Sequence, residues 1–301
     1  MCSSDLLIEV SSYTENEKEH IAAEHLIPKQ IRTNGLKKGQ LHFGDGVLPE
    51  IIGSYTKEAG VRSLERQIGQ ICRKTALQIQ EEGLESVTIT TENMEKYLGR
   101  RKFRVNPANQ RPEIGIVRGL AWTSVGGDTL EIEVNVMPGK GEFLLTGQLG
   151  DVMKESAQAG ISFIRSVADT YRIPEDFFSR HDIHIHIPEG AVPKDGPSAG
   201  ITMSTAMLSA ITGTPVRADV AMTGEITLRG RVLPIGGLKE KLLAAGKAGI
   251  RTVLVPEKNR PEVAELDEEI TAGLEILFME TMEDVLREAL VLPAAGEAAG
   301  Q

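Results

Sequence analysis

The residues of this 301-residue chain that could most readily do chemistry lie in one segment, PKDGPSAG, residues 193–200. There a turn rich in glycine and proline leads into an apolar stretch, residues 201–211, that is typical of a helix. We therefore expect Ser198 at or near a helix N-terminus, where free N–H groups and the positive end of the helix dipole lie. A serine nucleophile placed there has donors nearby for an oxyanion. The alternative is that Ser198 only caps the helix.

A nucleophilic serine needs a base, and histidine is the first candidate. Residues 196–200 match G-x-S-x-G, the nucleophile elbow of α/β-hydrolases, which requires an acid and then a histidine after the serine. All six histidines precede Ser198, so that order is excluded. A His–Asp–Ser order, built from His184 or His186 with Asp195, stays open.

Lysine is the usual substitute for histidine as the base of a serine hydrolase. It must lose its proton near neutral pH, so its pKa of about 10.4 has to fall, and burial lowers it. In PIGGLKEKLLAA, residues 234–245, a rotation of about 100° per residue puts Lys241 in a stripe of apolar and small residues, whereas Lys239 falls outside that stripe. We expect Lys241 to be buried and Lys239 to be solvated, which makes Lys241 the candidate base.

The first third of the chain, residues 1–99, predicts a small helical domain. Thr14 and Glu17 form a capping-box pattern before a long helix. Apolar residues at helical spacing predict another helix from about residue 62 to 82. Residues 100–113 are basic and contain prolines with little periodicity, which predicts a linker. We interpret the basic run within it as solvated linker rather than as a nucleic-acid contact.

The remainder, residues 114–292, predicts a mixed α/β domain. Alternating stretches such as 129–136 and 183–187 are typical of strands. The segments with helical spacing are 157–168, 200–212 and 238–248. Strands and helices interleave, as in a layered α/β architecture. The Ala/Gly-rich tail, residues 293–301, is expected to be disordered.

Composition excludes several classes of protein. The chain carries 33 basic and 43 acidic residues, a net charge of -10 that does not favour nonspecific binding to nucleic acid. Its two cysteines, Cys2 and Cys72, form no disulfide framework and fit a reducing cytoplasm. No apolar run reaches about 18 residues and no signal-peptide pattern opens the chain, so we expect neither a membrane span nor secretion.

Two long motifs resemble a known family. PKDGPSAG, followed by TGEITLRGRVLPIGGLKEKLLAA at residues 223–245, closely resembles the proteolytic domain of Lon proteases. Upstream, EAGVRSLER, residues 58–66, resembles the small α-helical subdomain of the Lon AAA+ module. The resemblance covers about residues 10–290. It implies an α+β chain, with an AAA+ lid subdomain over 1–99 followed by an α/β Lon-type protease domain over 114–292.

The resemblance also implies site residues. Lon proteases use a Ser-Lys dyad, which makes Ser198 the nucleophile and Lys241 the general base. Thr223 matches the threonine that hydrogen-bonds the lysine and would orient its amine. Asp195 matches an acidic position tied to gating of the active site, and Glu133 matches a position near the dyad; both are expected to support it.

Three further residues are expected to play supporting or sensing roles. His184 and His186 alternate onto one strand face and are expected to be polar neighbours of the site. We expect no metal there, because no third ligand has suitable spacing. Arg62 matches the sensor-two arginine of the AAA+ small domain, which would contact the γ-phosphate of a nucleotide held mainly by the neighbouring large domain.

The sequence departs from the family in one respect, since it contains no G-x-x-x-x-G-K-[ST] segment. We therefore expect no cofactor in this chain, while ATP and Mg belong to the full-length family enzyme. The resemblance implies ATP-dependent degradation of unfolded or damaged proteins by a homohexamer. Composition and charge lead us to expect a cytoplasmic location, no membrane partner and no nucleic-acid partner for this part of the enzyme. The alternative is a non-enzymatic ring-assembly module whose dyad is inactive.

Overall fold

The computed structural model describes residues 12–103, 107–123, 126–188 and 194–291. These residues fall into two compact units, one up to residue 103 together with Gly126 and one from residue 107 onward. The tail that the sequence predicts as disordered, 293–301, lies outside the described residues. No helix in the described ranges is long and apolar enough to cross a membrane.

The first unit is mainly helical. Its elements are α1 (Glu15–Ile21), a π-helical turn (Ala22–Leu26), α2 (Ile27–Thr33), β1 (Leu41–Phe43), α3 (Val47–Tyr55), α4 (Arg62–Glu82), β2 (Val87–Ile89) and α5 (Met94–Leu98). The two short strands pair in parallel. The buried apolar residues of these elements form a hydrophobic core of the unit's own.

The sequence signals for two helices of this unit are confirmed. The Thr14 hydroxyl accepts from Glu17 N, and the Glu17 carboxylate accepts from Thr14 N, which completes the capping box. The long helix that follows is interrupted by a π-helical turn just before Pro28, which has no N–H to donate. Helix α4 spans Arg62–Glu82 and ends at Gly83, whose left-handed backbone (φ 67°) terminates it.

The second unit is mixed. Its elements are β3 (Ile116–Thr123), β4 (Gly126–Pro138), β5 (Phe143–Thr146), α6 (Asp151–Ser166), α7 (Phe177–Arg180), β6 (His181–His186), a 3-10 turn (Pro197–Ala199), α8 (Gly200–Thr212), β7 (Val220–Met222), β8 (Glu225–Ile226), β9 (Val232–Leu233), α9 (Leu238–Ala248), β10 (Thr252–Pro256), a second 3-10 turn (Glu257–Asn259), α10 (Arg260–Ala264), α11 (Glu268–Thr271), β11 (Glu275–Met279) and α12 (Met282–Ala289).

A mixed sheet forms the centre of this unit. Its described strands run in the order β11-β10-β7-β3-β4-β6-β5. The pairs β11–β10, β10–β7 and β7–β3 are parallel, whereas β6 is antiparallel to β4 and parallel to β5. Strands β8 and β9 form a separate antiparallel pair. The helical first unit and this mixed second unit confirm the predicted α+β class.

Alternate side chains of the strands pack on opposite faces of the sheet. Met222 and Leu254 belong to the larger core cluster, together with residues of α6, α8 and α12. Ala221 and Val253 belong to a second cluster, together with residues of α9. The sheet therefore separates α8, which follows Ser198, from α9, which carries Lys241.

Helix α6 begins earlier than its pattern predicts. The spacing predicts 157–168, whereas the helix spans Asp151–Ser166. The Asp195 carboxylate accepts a hydrogen bond from Met153 N at 3.0 Å and so caps the first turn. The predicted boundary is wrong because this cap comes from a loop 42 residues away in sequence.

Close packing of β4 against α9 requires a glycine at position 127. A Cβ added there would overlap the backbone carbonyl oxygen of Glu240. By contrast, a Cβ added at Gly246, further along the same helix, would meet nothing within 4 Å.

We predict that Gly127→Ala destabilises the protein by about 2 kcal/mol or more, because strand and helix backbones must separate. Gly246→Ala is the matched control and should stabilise the protein by up to about 1 kcal/mol, since alanine favours the helix. Urea denaturation of both variants measures the difference. Equal stability of Gly127→Ala and the wild type would contradict the described packing.

Candidate active site

Ser198 lies in the 3-10 turn that leads into α8, as the sequence predicts. Gly196, just before the turn, has a φ of 121°, a backbone conformation that favours glycine. The N-cap residues of the turn and of α8 are Gly196 and Ala199, and within the described residues neither element has a side-chain cap, so the interpretation of Ser198 as a helix cap is wrong. Its half-buried side chain is thus available for another role.

Backbone hydrogen bonds tie the serine turn to the end of β7. The Ser198 carbonyl accepts from Gly224 N at 2.8 Å, and Ile201 N donates to the Gly224 carbonyl at 3.1 Å. The Thr223 hydroxyl donates to the same Ser198 carbonyl at 3.3 Å. Two segments that are 25 residues apart in sequence are thereby held in contact.

Lys241 lies on the buried face of α9, as the helical spacing predicts. Lys241 is only 2% exposed, whereas Lys239 is partly exposed. The Lys241 amine donates to the Thr223 hydroxyl at 3.0 Å. One fully buried threonine hydroxyl therefore contacts both the candidate base and the backbone of the candidate nucleophile.

The surroundings of Lys241 favour its neutral form. Burial lowers its pKa from 10.5 to about 8, and the negative charge of Glu262 opposes part of this shift. A lysine with that pKa is neutral in a substantial fraction of molecules slightly above neutral pH. It can then accept a proton, which an ordinary surface lysine cannot do at that pH.

The histidines do not assemble with Asp195 in the way that a His–Asp–Ser arrangement requires. His184 Nε2 and His186 Nδ1 lie 2.9 Å and 2.7 Å from the Thr146 hydroxyl of the neighbouring strand β5. The Asp195 carboxylate accepts from Gly196 N, in addition to capping α6. In the described part of the chain, no hydrogen bond joins either histidine to Asp195.

Glu133 lies on β4 opposite His186 in the antiparallel register. It is half-buried. Across the described ranges, no hydrogen bond connects Glu133 to Ser198, Thr223 or Lys241. Its expected place near the dyad stays a prediction.

No group of three or more His, Cys, Asp or Glu residues in the described ranges could hold a metal ion. A cavity of about 600 Å³ is lined by Arg118, Asn109 and Glu131, among others, and by none of the predicted site residues.

In the first unit, Arg62 is the first residue of α4 and is exposed. The Glu58 carboxylate accepts from Ser63 N and Leu64 N, each at 2.7 Å, and so occupies the N-terminus of that helix. The exposed guanidinium, rather than the helix end, is therefore the group that could contact a phosphate.

One buried polar residue near α9 belongs to no sequence motif. Asn259, 5% exposed, accepts from Ile235 N at 3.0 Å and donates to the Ile235 carbonyl at 2.8 Å. These bonds fix the loop that enters α9. Asn259 lies in a short 3-10 turn outside every motif, so only the tertiary contacts reveal it.

With the geometry of both units known, comparison with known proteins shows the class of the chain. Residues 88–292 match the Lon protease (S16) C-terminal proteolytic domain, and residues 32–87 match the Lon protease AAA+ ATPase lid domain. The chain is thus a lid domain followed by a proteolytic domain.

Individual relatives agree with these matches. The chain is 57% identical to a Lon protease of Lachnoclostridium phytofermentans, 53% identical to Lon protease 1 of Bacillus subtilis and 53% identical to a Lon protease of Vibrio parahaemolyticus. The alignments cover 95%, 95% and 94% of this chain, but 40%, 37% and 36% of those relatives. The chain belongs to the Lon protease family and spans well under half the length of these relatives.

The lowered pKa of Lys241 implies that the stability of the folded protein depends on pH. Below pH 8 Lys241 is protonated in both the folded and the unfolded protein, and the buried ammonium destabilises the folded protein. Between pH 8 and 10.5 it is neutral when folded and charged when unfolded, so the free energy of unfolding rises with pH.

Lys241→Met should therefore stabilise the protein by roughly 2 kcal/mol at pH 7, and by less at pH 10. The partly exposed Lys239→Met is the control and should change stability little at either pH. Urea denaturation at pH 7 and pH 10 measures both. A Lys241→Met variant that is less stable than the wild type at pH 7 would show that the buried Lys241 ammonium does not destabilise the folded protein.

Proposed function

We propose that this chain is a serine endopeptidase of the Lon type, with Ser198 as nucleophile and Lys241 as general base. The contact that supports the proposal best is the hydrogen bond from the buried Lys241 amine to Thr223, whose hydroxyl in turn donates to the Ser198 backbone. Family membership and the burial of that lysine point the same way.

In the proposed reaction, neutral Lys241 accepts the proton of the Ser198 hydroxyl while the serine oxygen attacks the peptide carbonyl carbon. The Lys241 ammonium then donates that proton to the leaving amine, which leaves an acyl-enzyme at Ser198. Neutral Lys241 next accepts a proton from a water molecule while the water oxygen attacks the ester carbonyl carbon. The Lys241 ammonium returns that proton to the Ser198 oxygen as the carboxylic acid product leaves. Thr223 orients the lysine amine throughout.

The position of the serine supports this chemistry electrostatically. Ser198 lies in the turn directly before α8, at the positive end of a 13-residue helix. The negative charge that develops on the carbonyl oxygen is stabilised there. The Lys241 amine contacts Thr223 in the described structure, so the proposal requires the serine hydroxyl to reach the amine when substrate binds.

The wider activity is also a proposal. We infer that unfolded or damaged proteins are the substrates, that the working particle is a cytoplasmic homohexamer, and that the present chain binds neither a membrane nor nucleic acid. ATP and Mg would be bound mainly by a P-loop domain of the full-length enzyme. The P-loop pattern G-x-x-x-x-G-K-[ST] does not occur in the present sequence. Arg62, exposed at the start of α4, would contact the nucleotide from the lid.

Ser198→Ala should abolish peptidase activity and change the free energy of unfolding by about 1 kcal/mol or less, since one oxygen atom is lost and no cap is broken. Casein cleavage and a serine-directed covalent probe read by mass spectrometry provide the measurement. Ser162→Ala, on the exposed face of α6, is the matched control and should keep activity. Casein cleavage by Ser198→Ala would refute the assignment, and an unlabelled Ser198 in an assembled hexamer would favour a non-enzymatic assembly module.

The pH dependence of activity tests the base. Wild-type kcat/KM should rise with pH through about 8, because deprotonation of Lys241 creates the active form. Lys241→Met should lower it by orders of magnitude at every pH from about 6 to 10, and Lys239→Met should leave it nearly unchanged. If Lys239→Met is inactive and Lys241→Met is active, the proposed base is wrong.

A further inference from the structure

Helix α6 contacts the serine turn through a side-chain hydroxyl. The Ser156 hydroxyl donates to the Pro197 carbonyl at 3.3 Å, and Ser156 is 8% exposed. A Cβ added at Gly200 would lie 2.8 Å from the same Ser156 oxygen, so the helix and the turn are in close contact. The bond joins residues 41 positions apart in sequence and ends on the residue directly before the candidate nucleophile.

Ser156 differs from other helical serines of this unit in where its hydroxyl donates. Ser162, on the same helix, donates to the backbone carbonyl four residues before it. Ser204, on α8, does the same within its own helix. That local bond is the ordinary one for a serine inside a helix. The Ser156 hydroxyl instead leaves its helix and binds the serine turn.

The Pro197 carbonyl is held by two donors. Besides Ser156, the Gly200 N–H donates to it and closes the 3-10 turn. Both lone pairs of the oxygen are thereby used. Because a trans peptide unit is planar, its C=O and N–H point in opposite directions. A fixed Pro197 carbonyl therefore also fixes the direction of the Ser198 N–H, which belongs to the same peptide unit.

The Ser198 N–H is available to a ligand. Among the residues that the structure describes, neither Ser198 nor Ala199 uses its backbone N–H in a hydrogen bond. Ser198 is half-buried, so this peptide unit is still open on one side. A backbone N–H next to a nucleophile is the type of donor that stabilises the oxyanion of a tetrahedral intermediate.

We propose that Ser156 is a positioning residue for Ser198, in which its hydroxyl holds the Pro197 carbonyl toward α6 and so aims the Ser198 N–H at the substrate oxygen. The inference rests on the proposed role of Ser198 as nucleophile. When the serine oxygen bonds to the carbonyl carbon, the carbonyl oxygen becomes negative and accepts from this N–H. The donor is already in place, and the bond strengthens in the transition state, so it raises kcat without lowering KM.

Ser156→Ala tests the role, since it removes the hydroxyl and alanine favours a helix. For a fluorogenic peptide, kcat should fall roughly tenfold with KM nearly unchanged, because the Ser198 N–H is kept but loses its fixed direction. The pH midpoint of kcat/KM should stay at the wild-type value, since the contacts of Lys241 are not altered. Ser204→Ala, which removes a buried hydroxyl that bonds only its own helix, is the matched control and should keep the wild-type kcat.

A peptide aldehyde tests the oxyanion contact more directly, because its adduct with Ser198 places an oxygen where the oxyanion forms. In Ser156→Ala its inhibition constant should rise by about the factor by which kcat/KM falls. The matching peptide alcohol forms no adduct and should bind Ser156→Ala, Ser204→Ala and the wild type equally well.

A wild-type kcat in Ser156→Ala overturns the inference. An equal loss of kcat in Ser204→Ala overturns it as well, since general loosening of the helices would then be the cause. A changed pH midpoint in Ser156→Ala also counts against it, because the residue would then act on the base.

The bond itself is tested without activity by NMR of the full chain labelled with ¹⁵N. The Ser198 amide signal should move in Ser156→Ala and not in Ser204→Ala. An unchanged signal in Ser156→Ala overturns the inference alone, whether or not the protein cleaves peptides. A wild-type chain that neither cleaves peptides nor forms the aldehyde adduct overturns the proposed function, and the inference with it, even where the amide signal moves.

Discussion

The burial of the Lys241 amine constrains everything around the candidate site. An ammonium removed from water is strongly disfavoured unless it is compensated, and here one threonine hydroxyl is the hydrogen-bond partner. The dry surroundings come from apolar residues of α9 such as Leu238 and Leu242, which also anchor the helix to the sheet. The packing that fixes α9 therefore also favours the neutral form of Lys241.

The serine turn is held by contacts at both of its ends. Before the turn, Asp195 bonds Met153 N at the start of α6, and after it Ile201 N bonds the Gly224 carbonyl. Substitution of Asp195 would loosen a helix cap and the turn together. The gating role that the family suggests for this aspartate stays a prediction, while the structure shows that the residue couples the turn to a neighbouring helix.

The first unit has a hydrophobic core of its own. Glu58 satisfies the first N–H groups of α4, so the end of that helix is not a free anion site. A nucleotide contact from this unit would depend on the Arg62 guanidinium, which is exposed. The separate core of this unit agrees with the two domain matches, in which the lid and the proteolytic domain are distinct segments.

Local pattern in the sequence determined which residues are buried and where several elements lie. The spacing around Lys241 places it on the inner face of α9 and Lys239 outside it, and the capping box at Thr14 forms as predicted. Periodicity carries this information because the burial of a helix face depends on the position of a residue within its own helix. The motif at Ser198 likewise located the turn before α8.

Only the tertiary structure decided which side chains meet. It showed that Asp195 bonds α6 and not a histidine, that the two histidines contact Thr146, and that Asn259 holds the loop before α9. Hydrogen-bond partners so far apart in sequence are set by the register of strands and the packing of helices, and one segment's pattern cannot encode them. For the same reason, the sequence marked Lys241 as buried, whereas no pattern in it pointed to Glu262, whose negative charge opposes part of the lowering of the Lys241 pKa by burial.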